Sequence, residues 1–79
     1  MKILVFAHLK DVLGCSQIEC PIRGPVTLDA FWNRLLEDYP VLSEHRQTLR
    51  VSRNLEFVTA DALLSENDEI ALIPPVSGG

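Results

Sequence analysis

The run Thr27-Leu28-Asp29-Ala30-Phe31-Trp32-Asn33-Arg34-Leu35-Leu36-Glu37-Asp38-Tyr39 carries the strongest periodic signal in the chain. Leu28, Phe31, Trp32, Leu35, Leu36 and Tyr39 recur at the three- and four-residue steps of a helix, while Asp29, Asn33, Arg34 and Glu37 fall off that stripe. Thr27 offers a short hydroxyl side chain for the helix N-cap, Asp29 sits where the helix dipole favours an anion, and Pro40 stops the run. The aromatic residues therefore read as core rather than as a cofactor site. One amphipathic helix cannot bury its stripe alone, and a sheet is the available partner.

Strand signals lie on both sides of the helix. Before it, beyond the break at Gly24-Pro25, Ser16 to Ile22 alternates, with Ile18, Cys20 and Ile22 on one side and Gln17 and Glu19 on the other. Pro21 suits an edge strand, because proline cannot donate to a ladder. Lys2 to Ala7 reads as a strand paired with this one in a hairpin. Between them, Leu9 to Leu13 reads as a short helical turn stopped by Gly14. After the helix, Val41 to Thr48 is open between a further helical turn and a loop. Leu49 to Ser52 and Leu55 to Val58 read as short strands around Arg53-Asn54, Ala62-Leu63-Leu64 is apolar, Ser65 to Asp68 is a turn, and Glu69 to Ile73 is the last strand. The expected fold is α+β, a mixed sheet packed on one main helix, with a globular unit over residues 1–73 and an extended tail over residues 74–79.

The first and last strands are apolar on both faces. Ile3 and Val5 point opposite to Leu4 and Phe6, and Ile70 and Leu72 opposite to Ala71 and Ile73. One helix covers one face. The other face is expected to be an exposed apolar patch that marks a protein interface.

Composition narrows the function. Seventy-nine residues make one domain with a modest core, so surface or end chemistry is favoured over an enclosed active site. The net charge is −4 and the seven basic residues are scattered, which speaks against nucleic acid and against a membrane surface. No leader pattern or membrane span is visible, so the cytoplasm is the expected compartment. Asp61, Glu66, Asp68 and Glu69 crowd toward the end, either as a solvated face or as a steering surface for a partner. Cys15 and Cys20, if the segment between them is extended, lie roughly 16 Å apart, too far for a disulfide. Two cysteines with His8 and His45 do not have metal-site spacing, and no metal is expected. Cys20 shares the inward parity of Ile18 and Ile22 and reads as a buried, inert thiol.

The tail Pro74-Pro75-Val76-Ser77-Gly78-Gly79 is the candidate working end. With glycine near 7% of residues, two terminal glycines arise by chance in roughly one chain in 200. Pro74 and Pro75 favour an extended arm, and Gly78 and Gly79 lack the Cβ that would keep a terminal carboxylate out of a narrow slot. No phosphate loop, activated nucleophile or carboxylate pair competes with it.

Two segments carry a family resemblance: Ile3-Leu4-Val5-Phe6-Ala7 with Leu9-Lys10-Asp11-Val12-Leu13-Gly14, and Asn67-Asp68-Glu69-Ile70-Ala71-Leu72-Ile73 running into the Pro-Pro-Val-Ser-Gly-Gly end. Over its whole length the chain resembles the small, sulfur-carrying subunits of molybdopterin synthase, ubiquitin-like proteins of the β-grasp fold. It departs from their usual Val-Asn-Gln pattern around Val51 to Glu56. The resemblance implies that an ATP-using activating enzyme adenylates the Gly79 carboxylate and a sulfur donor converts it to a thiocarboxylate. The tail, Pro74 to Gly79, then enters the large subunit of a heterotetramer and gives sulfur to a cyclic pyranopterin monophosphate, two deliveries making the dithiolene. No cofactor is bound by the chain itself. Leu4, Phe6 and Ile73 are expected to meet the large subunit, with Lys10 at the rim. Three rivals stand beside this reading: a thiamine-pathway sulfur carrier, a ubiquitin-like protein modifier, and a binding module in which the tail is idle.

Overall fold

The first and last strands, paired side by side, set the architecture. In the computed structural model, which describes residues 1–74, β1 (Lys2–Val5) is an interior strand of a five-stranded sheet, next to one edge. It pairs antiparallel with β2 (Gln17–Glu19), Ile3 opposite Ile18, after the short helix α1 (His8–Leu13). Gly14, at φ 75°, closes α1 in the left-handed conformation, and its N–H donates to the Lys10 carbonyl at 2.8 Å. The alternation read over residues 16–22 survives as burial of Ile18, Cys20 and Ile22, but only three residues join the ladder. Like β2, β1 is shorter than expected, because Ala7 turns to φ 54° and starts α1. β2 is an edge strand, as Pro21 suggested.

β3 (Val26–Thr27) leads into α2 (Leu28–Asp38). The Thr27 hydroxyl accepts from the Ala30 N–H at 3.1 Å, a cap typically worth ~1 kcal/mol. Phe31, Trp32 and Leu35 are buried, and Leu28, Leu36 and Tyr39 pack at the margin. Each of the three buried residues contributes about 1.5–3 kcal/mol through apolar area removed from water. Past Pro40 the chain makes two 3-10 turns, Pro40–Glu44 and Arg46–Thr48, which place Leu42 in the core.

β4 (Arg50–Arg53), β5 (Glu56–Phe57), β6 (Leu63–Leu64) and β7 (Ile70–Ile73) complete the chain. The large sheet runs β2-β1-β7-β4-β5, with β1 and β7 parallel and the other neighbours antiparallel; β3 and β6 form a separate two-stranded ribbon. This mixed sheet wrapped on one helix is the ubiquitin-like β-grasp fold. The Phe31-Trp32-Leu35 stripe packs on Ile3, Val5, Ile18, Val51, Ile70 and Leu72, all on one face of the sheet.

Two connections differ from the reading of the sequence. Leu63–Leu64 is a strand, because Leu64 is fully buried and its backbone pairs with Val26. The β4–β5 turn falls one residue later than expected, on Asn54 and Leu55, at φ 52° and 73°. Asparagine tolerates that region. Leucine does not, and a non-glycine residue held there costs on the order of 1–3 kcal/mol.

Candidate functional site

The strand pairing decides what lies opposite the helix. Leu4 is paired with Ala71, Ala71 with Ser52, and Ser52 with Phe57, so these four residues form a row across β1, β7, β4 and β5 on the uncovered face. Ser52 and Ala71 are small and form a floor. Leu4, Phe6, Leu55, Phe57, Glu69 and Ile73 rise around it, enclosing a hollow of about 160 Å³. A volume near that accepts a group the size of benzene. Toward β2 the same face turns polar, with Lys2, Gln17 and Glu19 all exposed, so the apolar patch has a defined edge.

Phe6, Phe57 and Leu55 are 45%, 50% and 86% exposed, too much apolar surface for these walls to be core. Arg50, opposite Ile73 in the β4–β7 ladder, lays its guanidinium over the Phe57 ring, 3.7 Å from the centroid. A cation thus stands beside the end of β7 from which the tail departs.

Of the residues singled out from the sequence, Leu4, Phe6 and Ile73 come together in the hollow. Lys10 is exposed on α1 and does not line it. Pro74 follows β7 directly; Pro75, Val76, Ser77, Gly78 and Gly79 lie outside the described residues. Reading the sequence put Ala71 on the same strand face as Ile73 but missed Phe57, Leu55 and Ser52 as parts of the site, since their meeting depends on long-range register.

The remaining candidates for chemistry sit elsewhere. Cys15 is exposed and Cys20 buried, both as free thiols. Burial pushes the Cys20 thiol up from its ordinary value, and the Asp38 carboxylate, 4.0 Å from its sulfur, adds to the effect. A thiol held protonated in this way is a poor nucleophile. The Thr59 hydroxyl donates to Asp61 at 2.7 Å and holds that exposed carboxyl below its usual range. The rings of His8 and His45 meet edge to face, 5.6 Å between centroids, yet no group of three metal-ligating side chains forms among the described residues. No helix among those residues is long and apolar enough to cross a membrane.

Comparison with known proteins agrees with this fold. The ThiS family matches residues 3–79. A molybdopterin synthase sulfur carrier subunit of Dictyostelium discoideum is 35% identical, covering 99% of this chain and 94% of that protein. One from Arabidopsis thaliana is 30% identical over all of this chain and 82% of its own length. In solved structures, SAMP1 from Haloferax volcanii superposes with a TM-score of 0.84 at 29% identity, covering 100% of this chain and 98% of that one. The chain belongs to the ThiS family.

Proposed function

We propose that this chain is the sulfur-carrying small subunit of a molybdopterin synthase, with sulfur held as a thiocarboxylate on Gly79. One observation carries the reading: the uncovered apolar face lies at the root of the tail, where β7 gives Ala71 and Ile73 to the hollow and runs straight into Pro74. A protein that takes up the tail finds that face beside the strand from which the tail begins. The relatives named above as sulfur carrier subunits support the assignment.

The chemistry follows from a carboxylate that needs activation. In the activating enzyme a Gly79 carboxylate oxygen attacks the α-phosphorus of ATP, and pyrophosphate leaves. A reduced sulfur nucleophile attacks the acyl carbon, AMP leaves with the C–O bonding pair, and the thiocarboxylate remains. In the large subunit its sulfur attacks an oxygen-bearing carbon of the cyclic pyranopterin monophosphate, forming a C–S bond while the C–O bond there breaks and its electron pair leaves with the oxygen. Water then cleaves the resulting thioester, leaving sulfur on the pterin and restoring the carboxylate. The proposal assigns the hollow none of these steps: its lining holds no cysteine, histidine or lysine, and Ser52 and Glu69 are its polar residues. Its part is to dock, and the tail's part is to reach.

A second reading, a modifier joined through Gly79 to lysines of other proteins, is favoured by the likeness to small archaeal modifier protein 1 of Haloferax volcanii, 30% identical over 87 residues. One measurement separates the two. Intact mass of the protein from its own cell should show a gain of about 16 Da, sulfur for oxygen, localised to a terminal Gly79. Gly79 found only in amide linkage to lysine, with no thiocarboxylate species, would select the modifier instead.

A further inference from the structure

The uncovered face carries one charge of each sign, at opposite ends. Arg50 stands opposite Ile73, where the tail begins, with its guanidinium over Phe57. Glu69 lines the hollow four residues before Ile73, about 13 Å away along the strand. Both side chains are exposed, and among the described residues neither forms an ion pair, although Arg34, Arg46 and the N-terminal ammonium do. The row of Leu4, Ala71, Ser52 and Phe57 runs midway between them. Two such faces fit together one way and not the other. A two-fold axis lying in the contact along that middle row sets the strands of a second copy antiparallel to the first. It brings the Arg50 end of each copy over the Glu69 end of the other, so the charge contact is made twice. Phe57, on the axis, meets its own counterpart. Lys2 and Phe6 flank Leu4 by two residues each, so Phe6 comes over Lys2 of the second copy. An axis along the strands would instead set cation against cation and acid against acid.

We propose that this face also pairs two copies of the chain, strands antiparallel, through reciprocal contacts between Arg50 and Glu69. The pair is transient. The strands β1, β7, β4 and β5 together are about 19 Å wide, and the stretch from Glu69 to Ile73 is about 13 Å long. With side chains overhanging these limits, each copy gives on the order of 400 Å², half of what a standard stable interface takes. The net charge of −4 on each copy opposes the contact further. Specificity therefore rests on the two charge contacts, and the apolar walls Phe6, Phe57 and Ile73 leave water when the copies meet. Where the docking reading above holds, the pair also withholds the face from the large subunit until it dissociates.

The experiment is sedimentation equilibrium of the full chain alone, from ~10 μM to ~1 mM. The average mass should rise from one chain toward two. Arg50→Glu and Glu69→Arg should each weaken self-association at least about tenfold, because each sets like charges together twice. Mixed in equal amounts, the two variants should pair with each other at close to the original affinity, since the mixed pair restores both contacts. Each substitution moves the net charge of −4 by two, to −6 and −2, so overall attraction cannot explain that result. The mass of a single chain at every concentration overturns the proposal. A mixture that associates as weakly as its components overturns it too. Dilution of the unsubstituted protein gives a reading that needs no variant: amide signals of Leu4, Ser52 and Ala71 should shift with concentration, and shifts centred on α2 instead would overturn the pairing. The large subunit is absent from every arm, so failure of the pair leaves the proposed function standing.

Discussion

The two faces of the large sheet are built from the same strands and nearly the same residue types, yet they meet different fates. On one, Ile3, Val5, Ile70 and Leu72 are at most 1% exposed beneath α2. On the other, Leu4 and Ile73 are half-buried, Phe6 is exposed, and no element among the described residues covers them. A strand buried on both sides is ordinary in a large protein. In one of 79 residues the second apolar face is surplus to folding, and such surplus is retained where a partner supplies the missing layer. On the proposed function, one face serves stability and the other, with the tail that follows β7, serves binding and reaction. Each substitution below should act on one side of that division.

The sharpest break should come from the tail. Deleting Gly79 leaves Gly78 with a terminal carboxylate of the same chemistry, set back by about 3.5 Å. Misplacement of 1 Å at a reacting centre can cost on the order of a hundredfold, so turnover with protein chemically thiocarboxylated at Gly78 should be nearly abolished. Folding and affinity for the large subunit should be unchanged. Full turnover by the shortened chain would show that reach is not the constraint.

On the covered face the effect should be the reverse. Leu35 is fully buried in the α2 stripe, and Leu35→Ala should cost roughly 2–5 kcal/mol through lost burial and the cavity left behind. In a domain of this size each kcal/mol lowers the melting temperature by about 4–8 °C, a shift easily read by circular dichroism. Whatever fraction stays folded should bind the large subunit with the original affinity. A melting temperature within a degree or two would mean that the sheet does not depend on the helix stripe.

Phe6 tests the uncovered face. As an aromatic wall of the hollow, it should behave as an interface anchor, and Phe6→Ala should weaken the complex by about 30-fold, or ~2 kcal/mol. Being 45% exposed already, it should cost less than ~1 kcal/mol of folding stability. A large stability loss with unchanged affinity would move Phe6 to the other side of the division. Titration calorimetry beside a thermal melt reads both quantities.

The covered face was the more legible of the two. Leu28 to Tyr39 announces itself locally, since helix period, Thr27 cap and Pro40 stop all lie within a few turns of one another. The two-sided character of Lys2 to Phe6 and Glu69 to Ile73 was also visible, because strand parity is local. The hollow needs more. Ser52 meets Ala71 and Phe57 only through the β4–β7 and β4–β5 registers. The second of these depends on a turn without the expected glycine: Asn54 is held by Asp68 and the Glu69 backbone, partners far along the chain. β3 and β6, two residues each, are too short to show a period, and the His8–His45 contact joins elements that no local pattern relates.

Lys10 should give the smallest effect, and its sign is informative. It stands exposed on α1, close in sequence to Phe6 but outside the hollow, where a rim charge would be. Exposed ion pairs are worth about 0.2–1 kcal/mol, so Lys10→Ala should weaken binding by no more than about fivefold. The loss should shrink as salt rises past ~0.15 M, where the screening length falls to about 8 Å. Against this runs a longer-range effect. The chain carries −4, and removing a cation strengthens its attraction to a basic partner through Glu66, Asp68 and Glu69. Faster association in Lys10→Ala at low salt, with dissociation unchanged, would show that the acidic end steers the encounter and that Lys10 makes no rim contact. Slower association or faster dissociation, lost at high salt, would place an anionic group of the large subunit against Lys10. A defect as large as that of Phe6→Ala would contradict a rim position and extend the buried interface from the hollow onto α1.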